Sequence, residues 1–557
     1  MEKIWEKNYP PDVAFTINPD AYSSVSELLE ETFQKYAHQP AFENFGVQLS
    51  YQELQNKVQH FAAYLQKVLK LQKGDRIAIM LPNCLQYPLV LLAALRLGLV
   101  IVNINPLYTE RELTIPLKDS GAKAIVVLTN FAASLSHIIS ETQLEHVIVT
   151  DLGDLLTPLK GWMINFVLRY IKKAIPPFNL LRKLSFKNAL HAGSKLTLDP
   201  VHIESSDTAF LQYTGGTTGV PKGAMLTHRN MISNILQSAG WIGHVLTEGK
   251  EVIVTALPLY HIFSLTVCCF TFIKLGCKGL LITNPRDFKG FIKELCKQKF
   301  TIFVGVNTLF EALLRQPGFD KIEWSNTNLV LAGGMAVLKS TAEKWQAATN
   351  MPIIMGYGLT EASPVVSINP LSLTKFNASI GLPITATNVE IRDDANKSVS
   401  LGSAGELCVQ GPQVMKGYWN NEKETKETLS DDGWLKTGDI ALMDDQGYIY
   451  LIDRKKDMIL ISGFNVYPIE VEEIIASHPG VEEVAVIGVP DTQSGESVKA
   501  FIVKKDPELT EEDIRALCKE KLTGYKRPSL IEFCSDLPKS NVGKILKQKL
   551  RAKQSIG

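Results

Sequence analysis

The chain has 557 residues, 45% of them apolar and 21% charged, and its 58 basic side chains balance 58 acidic ones. This length predicts at least two domains, each able to bury a core, and the neutral balance argues against a protein that binds nucleic acid through bulk charge. The opening segment lacks the apolar stretch of a secretory signal. The eight cysteines show no CxxC pair, and the ten histidines no HExxH. We therefore expect a cytoplasmic protein with reduced thiols and no zinc site.

Short runs rich in β-branched residues recur along the first two thirds of the chain, at intervals that leave room for helices. This alternation predicts layered α/β structure with mostly parallel strands in more than one sheet. Residues 88–102 and 262–273 are strongly apolar but shorter than the roughly 20 residues that span a membrane, so they are interpreted as core helix and strand. The predicted strands are 76–80, 124–128, 146–150, 251–257, 279–283, 300–306, 328–334 and 352–356.

The segment 155–198 departs from neutrality, with eight Lys or Arg residues and no acidic residue. A helical projection of residues 162–175 gives a basic amphipathic helix. Such a helix either adsorbs to an anionic bilayer, here the inner face of the cell membrane, or packs on its own domain or on a second subunit of a homodimer. Its broad apolar face is predicted to hold Met163, Phe166, Val167, Leu168, Tyr170 and Ile171, and its polar face Asn165, Arg169, Lys172 and Lys173.

After about residue 376 the strand pattern becomes shorter and alternating, which predicts a small antiparallel or barrel-like region. The charge cluster DRKKD at 453–457 is interpreted as a hinge linker between a domain of residues 1–452 and a small, mobile α+β domain of residues 458–557. In the latter, a capping box from Thr510 to Asp513 predicts a helix that ends near Leu522.

The stretch YTGGTTGVPKG, residues 213–223, is the first candidate functional segment. Its glycines can expose backbone N–H groups to phosphate oxygens, its threonines add hydroxyl donors, and Lys222 adds a positive charge. The pattern differs from Walker A, because Pro221 and Gly223 stand where that motif needs a glycine and a Ser or Thr. A phosphate-binding loop is favoured over a plain surface loop.

Six segments in this chain resemble, in the same order, the motifs of the acyl-adenylate-forming superfamily. The GWLKTGDI and DRKKDMILISGFNVYP segments further resemble the signature of fatty acyl-CoA synthetases, and NINPLYT (103–109) and ITNPRDF (282–288) resemble their bacterial long-chain members. The six segments are YTGGTTGVPKGAMLTHRN, LPLYHIF (257–263), GYGLTE (356–361), GWLKTGDI (433–440), DRKKDMILISGFNVYP (453–468) and PKSNVGKILKQKL (538–550).

The resemblance implies a two-step reaction that feeds fatty acid degradation and lipid metabolism. A long-chain fatty acid and ATP give an acyl-adenylate and pyrophosphate, and coenzyme A then displaces AMP. The attack of a carboxylate on a polyanion requires cations where charge accumulates, so the resemblance implies Mg²⁺ as cofactor and two lysines, Lys222 and Lys544, with Lys544 at the α-phosphate and the attacking carboxylate.

The resemblance also assigns roles to individual residues. Tyr357 would stack on the adenine and Thr360 would bind a phosphate oxygen; Asp439 would accept the ribose hydroxyls, with Arg454 supporting it. Magnesium ligands would be Glu361 and Thr217, since this cation prefers oxygen ligands. The nucleotide-binding set implied by the family is Tyr213, Thr214, Gly215, Gly216, Thr217, Thr218, Gly219, Lys222, Gly334, Tyr357, Thr360, Asp439 and Arg454, and the catalytic set is Lys544, Glu361, His261 and Lys222.

The resemblance has consequences for three further residues, His261, Lys456 and Asn465. His261 would position the substrate carboxylate, which is ionised at pH 7 and needs no general base. Lys456 matches the residue about which the small domain of the family rotates between the two steps. Asn465 stands where several relatives carry Arg or Gln, which puts a phosphate contact from that loop in doubt.

Two alternatives to this function remain at this point. One keeps the chemistry and changes the substrate, as in a medium-chain or aryl acid CoA ligase or a ligase that delivers to a carrier protein. The other is a membrane-associated protein for fatty acid uptake or binding with vestigial catalysis, although Lys222, Glu361, Asp439 and Lys544 are all present.

Overall fold

A computed structural model describes residues 3–180, 183–214, 221–461, 464–491, 494–540 and 545–554. The strands in chain order are β1 Pro40–Asn44, β2 Val47–Ser50, β3 Arg76–Met80, β4 Val100–Asn103, β5 Ala124–Leu128, β6 His146–Thr150, β7 Lys183–Ser185, β8 Thr208–Thr214, β9 Lys222–Thr227, β10 Val252–Thr255, β11 Lys278–Leu281, β12 Ile302–Gly305, β13 Leu329–Ala332, β14 Ile354–Gly358, β15 Val365–Ile368, β16 Leu382–Pro383, β17 Asn388–Arg392, β18 Gly405–Gln410, β19 Gly417–Tyr418, β20 Leu435–Met443, β21 Ile449–Arg454, β22 Ile459–Ile461, β23 Phe464–Val466, β24 Val481–Asp491, β25 Gly495–Lys504 and β26 Leu530–Cys534.

The α-helices alternate with these strands along most of the chain. In chain order they are α1 Val25–Lys35, α2 Tyr51–Lys67, α3 Gln86–Arg96, α4 Glu110–Ser120, α5 Ala132–Ile138, α6 Pro158–Phe166, α7 Phe186–Gly193, α8 His228–Gly243, α9 Phe272–Lys274, α10 Phe288–Leu295, α11 Asn307–Leu314, α12 Lys339–Thr349, α13 Glu422–Thr428, α14 Pro468–Ala476, α15 Glu511–Lys521 and α16 Lys547–Gln554.

Two large sheets with parallel centres form the body of the N-terminal domain. The first has the order β16-β15-β14-β13-β12-β10-β11-β1-β2, and the second β19-β9-β8-β4-β3-β5-β6-β7. Parallel strands need crossover helices that cover both sheet faces, and the strands accordingly consist almost entirely of buried apolar residues. The carboxyl ends of parallel strands are where such sheets present ligand-binding loops.

Two smaller sheets complete the fold. The strands β17-β18-β20-β21 form an antiparallel sheet that belongs to the large domain, and β22 to β26 form the sheet of the C-terminal domain, in which only β25 and β26 run parallel. The apolar core of the large domain extends to Ile449, and a separate core begins at Ile459. The α/β class with a large N-terminal and a small C-terminal domain is confirmed, while the limits 452 and 458 stay a prediction.

Local sequence explains where many helices begin. Ser50, Thr109 and Thr227 each accept a hydrogen bond from the backbone of the third helical residue, whose side chain bonds back to the cap. The capping box predicted at Thr510 is present, and its helix α15 ends at Lys521. Helix α3 is apolar on all sides and almost completely buried, as expected for a helix in the centre of a layered domain.

All eight strands predicted from β-branched runs are present, with ends that shift by up to two residues. Residues 88–102 contribute helix α3 and strand β4 as predicted, whereas 262–273 are helical, with a π-helical segment Ser264–Thr271. No helix in the described part of the chain is long and apolar enough to cross a membrane. No disulfide joins cysteines of the described residues.

The predicted amphipathic helix differs from the prediction in its limits and its orientation. Helix α6 begins at Pro158 and continues as a π-helical turn, Val167–Ile171, so the helical segment ends before residue 175. Two residues of the predicted polar face contact the domain: Asn165 accepts from the Gly153 N–H at 2.9 Å, and Arg169 lies 3.6 Å from Asp151. The other two, Lys172 and Lys173, are exposed. Leu168 and Ile164 pack on the core, while most of the predicted apolar face is exposed.

Candidate active site

A buried chain of polar contacts links β14 to the β20–β21 hairpin. The Tyr357 hydroxyl donates to Oδ2 of Asp439 at 2.5 Å, and Nε of Arg454 lies 2.6 Å from Oδ1 of the same carboxylate. Asp439 and Arg454 face each other in the antiparallel ladder, and the Asp439 N–H donates to Thr437 at 3.1 Å. The structure therefore brings together three predicted nucleotide-binding residues that are separated by up to 97 positions in sequence.

Burial keeps the Tyr357 hydroxyl protonated in this cluster. Burial raises the pKa of the Tyr357 hydroxyl well above its usual value, and the Asp439 carboxylate raises it further, so the phenol remains a hydrogen-bond donor. Asp439 is 3% exposed. An ionised carboxylate offers about four acceptor positions, and the described contacts use two of them, one on each oxygen.

A second cluster surrounds Lys222 at the start of β9. Its ammonium group forms an ion pair with Glu424 and lies 5.6 Å from the centre of the Tyr418 ring. The Tyr418 hydroxyl donates to Oε1 of Glu361 at 2.7 Å, and burial, followed by Glu361 and Glu424, raises the pKa of this hydroxyl. The predicted phosphate lysine and the predicted magnesium ligand thus share one aromatic neighbour.

The β8–β9 hairpin carries the glycine-rich segment. Thr214 pairs with Lys222 across the ladder, and Gly223 packs so closely on the Tyr213 ring that an added Cβ would lie 3.1 Å from it. Gly215, Gly216, Thr217, Thr218 and Gly219 lie outside the described residues. The hydroxyl of Tyr213 donates to Asp119 at 2.6 Å, so this side chain is tied to helix α4 and not to Lys222 or Glu361.

Gly334 follows β13 by two residues and His261 follows β10 by six, and each of them has Phe263 as a neighbour. Gly334 has a φ of +77°, a conformation that favours glycine, and its side-chain position would lie 3.9 Å from the ring of Phe263. The His261 Nδ1 accepts from the Phe263 N–H at 3.4 Å. Thr360 begins the short 3₁₀ turn Thr360–Ala362 after β14, which also holds Glu361.

The predicted hinge residue occupies the turn between β21 and β22. Before it, Lys455 forms an ion pair with Glu406 of the large domain at 3.1 Å; after it, Asp457 pairs with Arg551 of the small domain at 2.8 Å. Lys456 itself forms no ion pair with any other described residue. Lys456 thus lies between one ion pair to the large domain and one to the small domain.

Two further contacts hold the domains in the present arrangement. The carboxylate of Asp453, on a strand of the large domain, accepts from the Ile469 N–H in the first turn of α14 at 2.9 Å. Arg315, at the end of α11, pairs with Glu482 of the small domain at 2.5 Å. Any rotation of the small domain about residue 456 has to break such contacts.

Lys544 lies outside the described residues, between the described positions 540 and 545. The chain that follows it is fixed by Lys547, whose ammonium group lies 2.7 Å from Glu472. Asn465 pairs with Leu460 in the β22–β23 hairpin and is exposed. The site roles of Lys544 and Lys456 and the phosphate contact of Asn465 stay predictions.

Among the described residues, no group of three or more His, Cys, Asp or Glu side chains could hold a metal ion. Magnesium does not require one, because it is usually bound through one or two carboxylates together with substrate phosphates and water. The carboxylate of Glu361, with one oxygen bonded to Tyr418, fits that mode. Thr217 is not among the residues described.

Sequence reasoning missed three residues of these clusters: Tyr418, Glu424 and Thr437. The GYW segment at 417–419 offered a weak signal, because a glycine followed by two aromatic residues before a polar helix is unusual for a surface loop. Glu424 gave none, since it stands among four other charged residues between 422 and 427. Its partner lies 202 positions away in sequence.

Comparison with known proteins agrees with this architecture. Residues 29–419 match the family model of the AMP-binding enzyme, and residues 470–544 match that of the AMP-binding enzyme C-terminal domain. The long-chain-fatty-acid–CoA ligase of Escherichia coli O157:H7 is 52% identical over 551 residues, and that of Yersinia pestis 53%, each alignment covering 99% of this chain and 98% of the relative.

Solved structures show the same fold. An anthranilate CoA ligase, AuaEII, in complex with anthranoyl-AMP superimposes with a TM-score of 0.84 at 25% identity, covering 96% of this chain and 98% of that one. The ordered motifs, the matched family models and the relatives lead to one conclusion: the chain belongs to the AMP-binding enzyme family.

Proposed function

We propose that this protein is an ATP-dependent, AMP-forming ligase that converts long-chain fatty acids to acyl-CoA through an acyl-adenylate. The observation that carries the proposal is the identity of 52% across 99% of the chain with ligases that bear this name. The buried Asp439 carboxylate, with acceptor positions to spare, and the Lys222–Glu361 region supply groups suited to a ribose and to a polyphosphate.

In the first step, the fatty acid carboxylate attacks the α-phosphorus of ATP, an acyl–phosphate bond forms and pyrophosphate leaves. Asp439 holds the ribose while Lys222 offsets charge on the β- and γ-phosphates. Lys544 neutralises charge at the α-phosphate, and His261 positions the carboxylate. Glu361 and Thr217 would hold Mg²⁺, which would supply further positive charge to the phosphates.

In the second step, the thiol of coenzyme A attacks the acyl carbonyl, the thioester forms and AMP leaves. The thiol has to reach the carbonyl from a direction that Lys544 obstructs in the first step, so the small domain turns about Lys456 between the two. The contacts of Asp453 and Arg315 with the small domain belong to one of the two arrangements.

The experiment that tests this function measures the release of pyrophosphate and AMP with a panel of acids, with and without coenzyme A. We expect release of pyrophosphate that depends on fatty acid and ATP, multiple turnovers with AMP release only when coenzyme A is present, and a maximum of kcat/KM among long-chain acids. A maximum with medium-chain or aryl acids would replace the substrate assignment. The absence of any acid-dependent release would contradict the function itself.

A second proposal is that helix α6 and its π-helical extension dock on the anionic inner surface of the cell membrane. Trp162, Phe166 and Tyr170 form a row of rings with centres 5.4 and 5.0 Å apart, and Trp162 and Tyr170 are 64% and 63% exposed. Aromatic residues favour the bilayer interface. The basic residues of this segment, including Lys172 and Lys173, complement anionic headgroups.

The membrane proposal is tested by flotation with vesicles of phosphatidylglycerol and phosphatidylethanolamine. The double variant Phe166→Glu/Ile171→Glu is expected to lose most of its vesicle binding and to retain its circular dichroism spectrum. Leu401→Glu, which changes another exposed apolar residue, serves as the matched control. Undiminished binding of the double variant would contradict the proposal, and a loss of dimers by gel filtration would assign the surface to a homodimer instead.

A further inference from the structure

The ammonium group of Lys222 is already neutralised by a carboxylate from another part of the chain. Its ion-pair partner is Glu424, and the two side chains are 8% and 23% exposed. A partly buried lysine without a counter-ion is costly, so the Glu424 carboxylate lowers the cost of burying Lys222. The same lysine is the one that the proposed function assigns to the phosphates of ATP.

Glu424 is held in place by its own helix. It lies in the first turn of α13, where its N–H donates to Oδ1 of the capping residue Asn421 at 3.2 Å. The helix is in turn joined to the site, because the hydroxyl of Thr425 accepts from the Tyr418 N–H at 2.9 Å. These contacts fix the backbone of Glu424 near the site, and the ion pair with Lys222 holds its carboxylate.

The electrostatic surroundings make this pair a competitor of the substrate. Tyr418 neighbours Lys222 through its ring and Glu361 through its hydroxyl. Two carboxylates and one ammonium group therefore share the region that the proposed function assigns to the polyphosphate. Phosphate oxygens and the Glu424 carboxylate are alternative partners for the same ammonium group. The phosphate and the carboxylate are both negative and repel each other, so they cannot both bind the Lys222 ammonium group equally well.

We propose that Glu424 acts as a placeholder counter-ion, which holds Lys222 in the nucleotide-free enzyme and is displaced by the phosphates of ATP. Glu424 thereby sets the affinity for ATP and for the product pyrophosphate, although it touches neither reacting atom. The inference rests on the proposed function. Its physical basis is that ATP binds more weakly when Lys222 spends most of the time in an ion pair with Glu424.

The test compares Glu424→Gln with Glu422→Gln, an exposed residue in the same turn that loses the same charge. We expect the KM for ATP and the inhibition constant of pyrophosphate to fall roughly 3- to 10-fold in Glu424→Gln, with less than a twofold change in Glu422→Gln. The matched control separates the contact from a long-range change in net charge. An unchanged or increased KM for ATP in Glu424→Gln would overturn the proposal.

A second measurement shows whether Glu424 acts through Lys222. The effect of Glu424→Gln on the KM for ATP is expected to disappear in a Lys222→Met background, and an undiminished effect there would also overturn the proposal. Titration calorimetry with ATP alone, without fatty acid, should show the same tightening. If the wild type shows no acid-dependent release of pyrophosphate, the proposed function is refuted. If the wild type is active but Glu424→Gln leaves the KM for ATP unchanged, only the role of Glu424 is refuted.

Discussion

Replacing Asp439 by Asn gives the sharpest test of the nucleotide site, because it removes a charge without changing the shape of the side chain. Asp439 is bonded to Tyr357 at 2.5 Å and to Arg454 at 2.6 Å. An asparagine keeps one acceptor oxygen, but its NH₂ group cannot accept a hydrogen bond. The variant therefore lacks acceptors for at least one of the two ribose hydroxyls.

The size of the effect follows from these contacts. A hydrogen bond to a charged group contributes about 1.5–3 kcal/mol, so losing one should raise the KM for ATP roughly 10- to 150-fold. The ribose contact is the same in the ground state and the transition state, so kcat should change little. The stability cost is about 1–2 kcal/mol, below the usual value for a broken buried pair, because the Arg454 side chain is 40% exposed.

The assay is the initial rate of fatty-acid-dependent pyrophosphate release at increasing ATP concentration, together with thermal unfolding. Asp445→Asn is the control and should behave as the wild type, because Asp445 is an exposed aspartate in the turn that joins β20 to β21. A KM for ATP within twofold of the wild type, in a variant that is folded, would refute the ribose assignment. A large loss of kcat at saturating ATP would contradict the assumption that the contact between Asp439 and the ribose is equally strong in the ground state and the transition state.

Three further predictions concern the small domain and the linker. Lys544→Ala is expected to lower acyl-adenylate formation at least about 100-fold but to spare thioester formation from supplied acyl-adenylate, and equal loss of both steps would count against its role. Lys456→Pro is expected to spare acyl-adenylate formation but to lower thioester formation, because proline restricts its own φ and the conformation of the preceding residue. Normal thioester turnover in this variant would contradict the hinge assignment. Burial raises the pKa of Asp453 to about 6 against the opposing effect of Lys547, so its protonated form stabilises the folded state at low pH. This contribution is up to about 3 kcal/mol and is lost as the pH rises from 4 to 7. We expect it to be missing from the free energy of unfolding of Asp453→Asn. A pH dependence identical to that of the wild type would contradict this prediction.

Most of the fold could be predicted from local sequence. The strand runs at 76–80, 124–128 and 146–150 coincide with β3, β5 and β6, since short apolar runs rich in β-branched residues are typical of buried parallel strands. Residues 262–273 were harder, because a short apolar run is compatible with a buried strand or a buried helix. Long-range packing decided in favour of the helix.

The candidate site was predictable to the extent that its residues lie in contiguous motifs. Through their resemblance to family motifs, GYGLTE, KTGD and the glycine-rich segment led to the predictions for Tyr357, Glu361, Asp439 and Lys222. Glu424 carried no such pattern, and Tyr418 had only the weak signal of the GYW segment. Their roles depend on which side chains from distant segments lie beside them, and periodicity holds no information about that.

The sequence by itself determined the α/β class, the order of the elements, the family and the chemistry of the first step, because these depend on local periodicity and on short motifs. Only the tertiary structure decided that Lys222 is paired with Glu424, that Asp439 is held between Tyr357 and Arg454, and that the aromatic residues of α6 point away from the domain. The physical reason is that charge pairing and the covering of an apolar face are properties of surfaces in contact. Such surfaces exist only once segments hundreds of residues apart have packed together.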